Sequence, residues 1–266
     1  MTTDFFQLLE KLILTTDVDE KCLGITTLNA ELGETTQSID RFKHSSPVIE
    51  IAKPGLPEKL KLVAPKNLSK RGINSVEGRL VLMHSLAHIE FNAINLAMDA
   101  AYRYRNQPSD FYLDWLQVAA DEARHFKLIE AYLVDRGVAY GDYVAHNGLW
   151  EMAVQTSHDV LARMALVPRV LEARGLDVAP AIMEKLRKAQ DMAAVEILNT
   201  IYLDEIEHVK IGSKWFSFEC QNRNLDPRDT FVRLVNTHFH GKLMGPFNMP
   251  ARLLAGFDQD EIESFK

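Results

Sequence analysis

Between about residues 76 and 217, apolar residues return every three or four positions. That is the period of a helix with one face on a core. The breaks are sparse, so each is informative. A first helix is predicted over 75–105, closed by Asn106, Gln107 and Pro108. Ser109 is then a suitable N-cap for a second helix over 110–136, stopped by Gly137. A loop through Gly141, Asn147 and Gly148 leads to a third helix over 149–174. That helix is expected to kink at Pro168 and to end at Gly175. A short helix over 180–189 and a long fourth helix over 191–218 follow.

The flanks differ in pattern. Residues 1–70 open with one or two short amphipathic helices. The Pro-punctuated stretch PVIEIAKPGLPEKLKLVAPKNL then predicts an extended path over the helices. After Asn222 the pattern gives one more helix and a Gly/Pro-rich strap, GPFNMPARLLAGF. No strand-rich region and no Gly-rich phosphate loop is visible, so a dinucleotide- or nucleotide-binding α/β fold has no support. The expectation is an all-α fold over 1–266 as a single domain. Its core bundle spans about 75–218, with an N-terminal extension over 1–74 and a C-terminal one over 219–266.

Composition narrows the class. A chain of 266 residues with 47% hydrophobic and 25% charged residues can bury a core and is not of disordered type. No apolar run approaches the roughly 18–20 residues of a membrane span, and the N-terminus lacks a basic leader, so a cytoplasmic location is expected. Cys22 and Cys220 show no metal-thiolate spacing and read as two free thiols. The net charge of −7 argues against a broad DNA footprint. Lys61, Lys66, Lys70 and Arg71 form the densest basic stretch and read as a solvated loop.

Two segments carry chemistry: Asp121-Glu122-Ala123-Arg124-His125 and Asp204-Glu205-Ile206-Glu207-His208. Each is D-E-x-x-H on a long predicted helix, and residues three apart share a helical face. Nineteen Glu and nine His would place about 0.6 Glu-x-x-His pairs by chance. Two pairs alike in context therefore stand out. Glu90 precedes Glu122 by 32 residues and Glu172 precedes Glu205 by 33, so both halves repeat one spacing. Carboxylates bridge and neutralise cations, and imidazole completes the coordination spheres. Two Glu-x-x-His pairs with one more Glu on each of two other helices make the ligand set of a di-metal helical bundle of the ferritin-like type. The predicted ligands are Glu90, Glu122, His125, Glu172, Glu205 and His208. Glu151 is the alternative to Glu172, which the matched spacing and neighbouring Leu171 favour. Solvated helix-surface pairs are the bland reading, opposed by Ala119, Ala120, Ala123, Ile201 and Ile206 on the flanks.

Asp121 and Asp204 are candidate hydrogen-bond acceptors for ligand imidazoles, Asp204 for His125 and Asp121 for His208. His84 and His88, one turn apart, are candidates for supporting or proton-relay groups, against the plainer reading of hydrogen-bonded core histidines. Met83, Met98, Met152, Met164, Met183 and Met192 read as core filler, and His238 and His240 as an exposed helix end.

HSLAHIEFNAINLAMDA, ADEARHF, LARMALVPRVLEARGLDV, LDEIEHVKIGSKWF and the terminal GPFNMPARLLAGF resemble a bacterial ferritin-like family known only as a domain of unknown function. The Glu and Glu-x-x-His pattern is also similar, more distantly, to that of tRNA-hydroxylating di-iron monooxygenases. The resemblance implies a ferritin-like four-helix bundle with two iron ions, manganese being the alternative. It brings no substrate. The expected partners are O2 and a small molecule or modified nucleoside, and bulky flanks suit a small oligomer such as a homodimer. The competing readings are a non-enzymatic iron- or peroxide-handling protein and a helical interaction module.

Overall fold

The computed structural model describes residues 4–33, 42–43, 46–68, 72–239, 243 and 245–265. Lys70, Arg71 and His240 lie outside them. The fold is all-α. Among the described residues there is no strand beyond an isolated bridge between Leu62 and Ala145, and no helix is long and apolar enough to cross a membrane. The chain forms two compact units, Met1–Val154 and Gln155–Lys266.

The first unit holds α1 (Phe5–Leu14), α2 (Val18–Gly33), α3 (Val76–Arg103), α4 (Ser109–Val134) and α5 (Gly148–Gln155). Its centre is the α3–α4 hairpin, with α2 lying on α4 and α1 on α3. Ser75 caps α3 as its Oγ accepts from the Gly78 amide at 3.0 Å. The start of α4 corrects the expected cap: Pro108 is the N-cap and Ser109 is already helical. Proline supplies a fixed φ there but no side-chain acceptor. Gly137, at φ 74°, turns the chain out of α4 as expected.

The extended N-terminal stretch lies over the helices as expected. Ile51 and Leu60 are buried, and the Ala52 carbonyl accepts from Trp150 Nε1 at 3.1 Å. Beneath it sits Lys21, fully buried. Its Nζ donates to the carbonyls of Ile13 and Gly55 and to Asn95 Oδ1 at 3.1, 2.9 and 2.6 Å. One ammonium thereby satisfies acceptors from α1, the extended stretch and α3. Burial lowers its pKa to about 7.

The second unit holds α6 (Val160–Leu166), a π-helical segment (Val167–Glu172), α7 (Ala173–Lys188), α8 (Met192–Asn222), α9 (Pro227–His238), α10 (Met249–Leu254) and α11 (Gln259–Glu263). The expected third helix is not continuous. It breaks after α5, and Asp159 caps a new helix by accepting from the Leu161 amide at 3.0 Å. At Pro168, where a kink is expected, the helix runs as a π-helical turn. Proline has no N–H, so the α-helical ladder loses a bond, and the Ala173 amide reaches the Pro168 carbonyl five residues back. Gly175 does not end the helix. It stays right-handed, and α7 runs on through Pro180 to Lys188, absorbing the short helix expected over 180–189. Pro180 is exposed, so its ring meets solvent. The long α8 starts at the expected cap, Asp191.

Candidate metal centre

In the first unit, α3 brings Glu90 and α4 brings Glu122 and His125. All three are buried, Glu122 and His125 at 0% exposure. His125 Nδ1 lies 3.3 Å from Glu90 Oε2 and 3.5 Å from Glu122 Oε2. Ala119, Ala120 and Ala123 around Glu122 are also buried. Phe91 and Phe126, the neighbours of Glu90 and His125 in the chain, lie 5.3 Å apart, and Tyr140 covers both at 5.4 and 5.1 Å. All three groups of the Glu90–Glu122–His125 set are themselves out of water, so the carboxylates act strongly on the imidazole. Burial alone would lower the His125 pKa, but hydrogen bonds with Glu122 and Glu90 overcome it and raise the pKa to about 11. The position favours positive charge.

In the second unit, His208 is buried and Glu205 half-buried on α8. Glu205 Oε1 is 3.6 Å from His208 Nδ1. Glu172 is half-buried at the end of the π-helical segment. That segment and α8 approach unusually closely. A Cβ on Gly212 would sit 2.3 Å from Pro168 Cβ, so only glycine fits there. Gly212 is one turn beyond His208.

Glu122, His125, Glu205 and His208 form a group that can hold a metal ion: each offers one ligand atom, all within 4.8 Å of one another. Two imidazoles and two carboxylates suit a first-row divalent cation. Glu90 joins through its contact with His125. Glu172 is not one of the four. Glu151 is exposed on α5.

Asp121 accepts from Gln117 Nε2 at 2.9 Å and from Arg124 at 3.0 Å, contacts along its own helix. Asp204 is half-buried on α8. His84 and His88 lie in a cluster with Tyr140. His84 Nε2 accepts from the Gly141 amide at 2.8 Å, and His88 Nδ1 is 2.8 Å from the Tyr140 hydroxyl. Burial lowers both histidines to about 4 and pushes the Tyr140 hydroxyl well above its usual range. Both are therefore neutral hydrogen-bonding groups at pH 7. Tyr140 was not singled out by the sequence, since a lone tyrosine in a loop carries no periodic signal. Both cysteines are free and buried.

No solved structure matches this chain. An uncharacterised protein of Haemophilus influenzae is 43% identical over 272 residues, covering 99% of this chain and 94% of that protein. The family model described as a protein of unknown function, DUF455, matches residues 14–263, nearly the whole length. The chain with this Glu/His cluster belongs to the DUF455 family.

Proposed function

We propose that the protein is a ferritin-like di-metal oxidoreductase. In this reading Glu90, Glu122, His125, Glu172, Glu205 and His208 hold two iron ions, with manganese as the alternative. The observation that carries it is the convergence of two Glu-x-x-His motifs into one group of four donor atoms within 4.8 Å. Bound iron would supply O2 activation for oxidising or hydroxylating a small molecule or modified nucleoside. The chain's own part is different. Glu90, Glu122, Glu172 and Glu205 would offer carboxylate oxygens to the ions. His125 and His208 each give a ring nitrogen once deprotonated. Glu90, Glu122 and His125 are themselves buried, so water is excluded from this side.

Metal analysis of purified protein, with optical and Mössbauer spectra before and after O2, tests this. Two irons per chain with an oxo-bridge band are expected. Glu122→Ala and His208→Ala should each lose at least one metal. Full retention in both variants would sink the assignment. Many irons per chain in a large hollow assembly would instead mark an iron-handling protein.

A further inference from the structure

The C-terminal strap makes its contacts on the residues that bracket Glu172 and Glu205. Glu261, on α11, takes Arg169 Nη2 at 2.5 and 2.6 Å, and Arg169 lies three residues before Glu172 inside the π-helical segment. That guanidinium is buried under the rings of Phe216, Phe231 and Phe257, at 4.7, 4.6 and 4.5 Å. On the other side of Glu172, Asp177 receives a bidentate bond from Arg252 at 2.9 and 2.7 Å and a third from the Asn248 amide at 2.9 Å. Both side chains of the Asp177–Arg252 pair are almost fully buried.

Asn248 does more. Its Nδ2 donates to the Leu176 carbonyl at 3.0 Å and to the Tyr202 hydroxyl at 2.9 Å. Leu176 is the residue four before Pro180, so its carbonyl is the one Pro180 leaves without an α-helical donor. Asn248 replaces that missing bond. Tyr202 lies three residues before Glu205 on α8. One side chain therefore fastens α7 just past Glu172 to α8 just before Glu205. Gly256, at φ 82°, turns the strap against Ser213, where an added Cβ would be 3.1 Å from Ser213 Cβ.

A segment serving only as cover would need apolar contacts. This one places directional, buried polar bonds within about one and a half helical turns of the two carboxylates. We infer that the strap, residues 247–263, is the positioning element for Glu172 and Glu205, acting through Asn248, Arg252 and Glu261, none of which is a ligand. This rests on the di-metal reading. A π-helical turn has an irregular ladder, and a buried ion pair on Arg169 holds it in one register.

The test is Co(II) titration of the full-length protein, read by its d–d absorption, with melting followed in parallel. The variants are Asn248→Ala, Tyr202→Phe and Glu261→Gln. Tyr202→Phe keeps the ring and removes only the hydroxyl, so it reports even where Glu261→Gln fails to fold. Asn248→Ala and Tyr202→Phe are expected to weaken Co(II) binding about tenfold or more and to change the d–d band, with helical content kept. Wild-type affinity and an unchanged band in both folded variants would overturn the inference while leaving the di-metal reading standing. Failure of the wild-type protein itself to bind Co(II) or iron would remove that reading, and the inference with it.

Discussion

Replacing Gly212 by Ala should destabilise the second unit, although the same change in an open helix stabilises it. The new Cβ would lie 2.3 Å from Pro168 Cβ and 2.4 Å from its Cγ. Ordinary carbon–carbon contact is about 3.5–4.0 Å, so more than an ångström of separation must open. Neither partner can turn aside: one is a proline ring fused to helical backbone, the other the backbone of α8. Overpacking costs about 1–3 kcal/mol, and such a rigid clash belongs at the upper end. Removing a helix-interior glycine returns about 1 kcal/mol. The net expectation is a loss of about 2 kcal/mol, or roughly 4–8 °C in melting temperature. Gly175→Ala is the matched control. Gly175 is also helical in the second unit, but nothing lies within 4 Å of its added Cβ. It should gain up to about 1 kcal/mol. Thermal and urea unfolding of both variants decide the matter. If Gly212→Ala melts at or above wild type, the α8–Pro168 contact is not as tight as described.

Lys21→Met should cost the first unit at least about 2 kcal/mol, because it takes the ammonium from the Gly55 carbonyl and Asn95 Oδ1, worth about 1 kcal/mol or more each, while the Ile13 carbonyl keeps the Gly55 amide; an unchanged urea midpoint would contradict the role given to Lys21. The first unit should also lose stability in acid. His84 holds its proton less tightly when folded, about 4 against the usual 6.5, so the unfolded chain binds more protons between those values. Stability is therefore full above pH 6.5 and falls as pH drops from 6.5 towards 4. Protonation would also take the Nε2 lone pair that accepts from Gly141. Unfolding midpoints at pH 7, 5.5 and 4.5 measure the slope, and His84→Leu should flatten it; an identical slope in that variant would exclude His84 as its source.

Much of the helical layout was legible from spacing. The long amphipathic runs that became α3, α4 and α8 start within a residue or two of their expected positions, because capping residues such as Ser75 and Asp191 act locally. The third helix was misread for a physical reason. Pro168, Gly175 and Pro180 are all breakers by local preference. The helix survives them because the lost bonds are replaced from outside: Pro168 by a π-helical ladder and Pro180 by Asn248, 68 residues away in the chain. No window of sequence contains that partner.

The donor residues follow the same division. Glu-x-x-His places a carboxylate and an imidazole on one helical face whatever the rest of the chain does, so both pairs could be read from the sequence alone. Their meeting could not. It is a matter of tertiary structure, as is the approach of Glu90 to His125, whose hydrogen bonds with Glu122 and Glu90 raise its pKa against the effect of burial. What sequence determined here is short-range: helix period, caps and the i,i+3 pairing of ligands. What tertiary structure decided is which polar atoms lose water, since desolvation depends on every neighbour in space and not on those next in the chain.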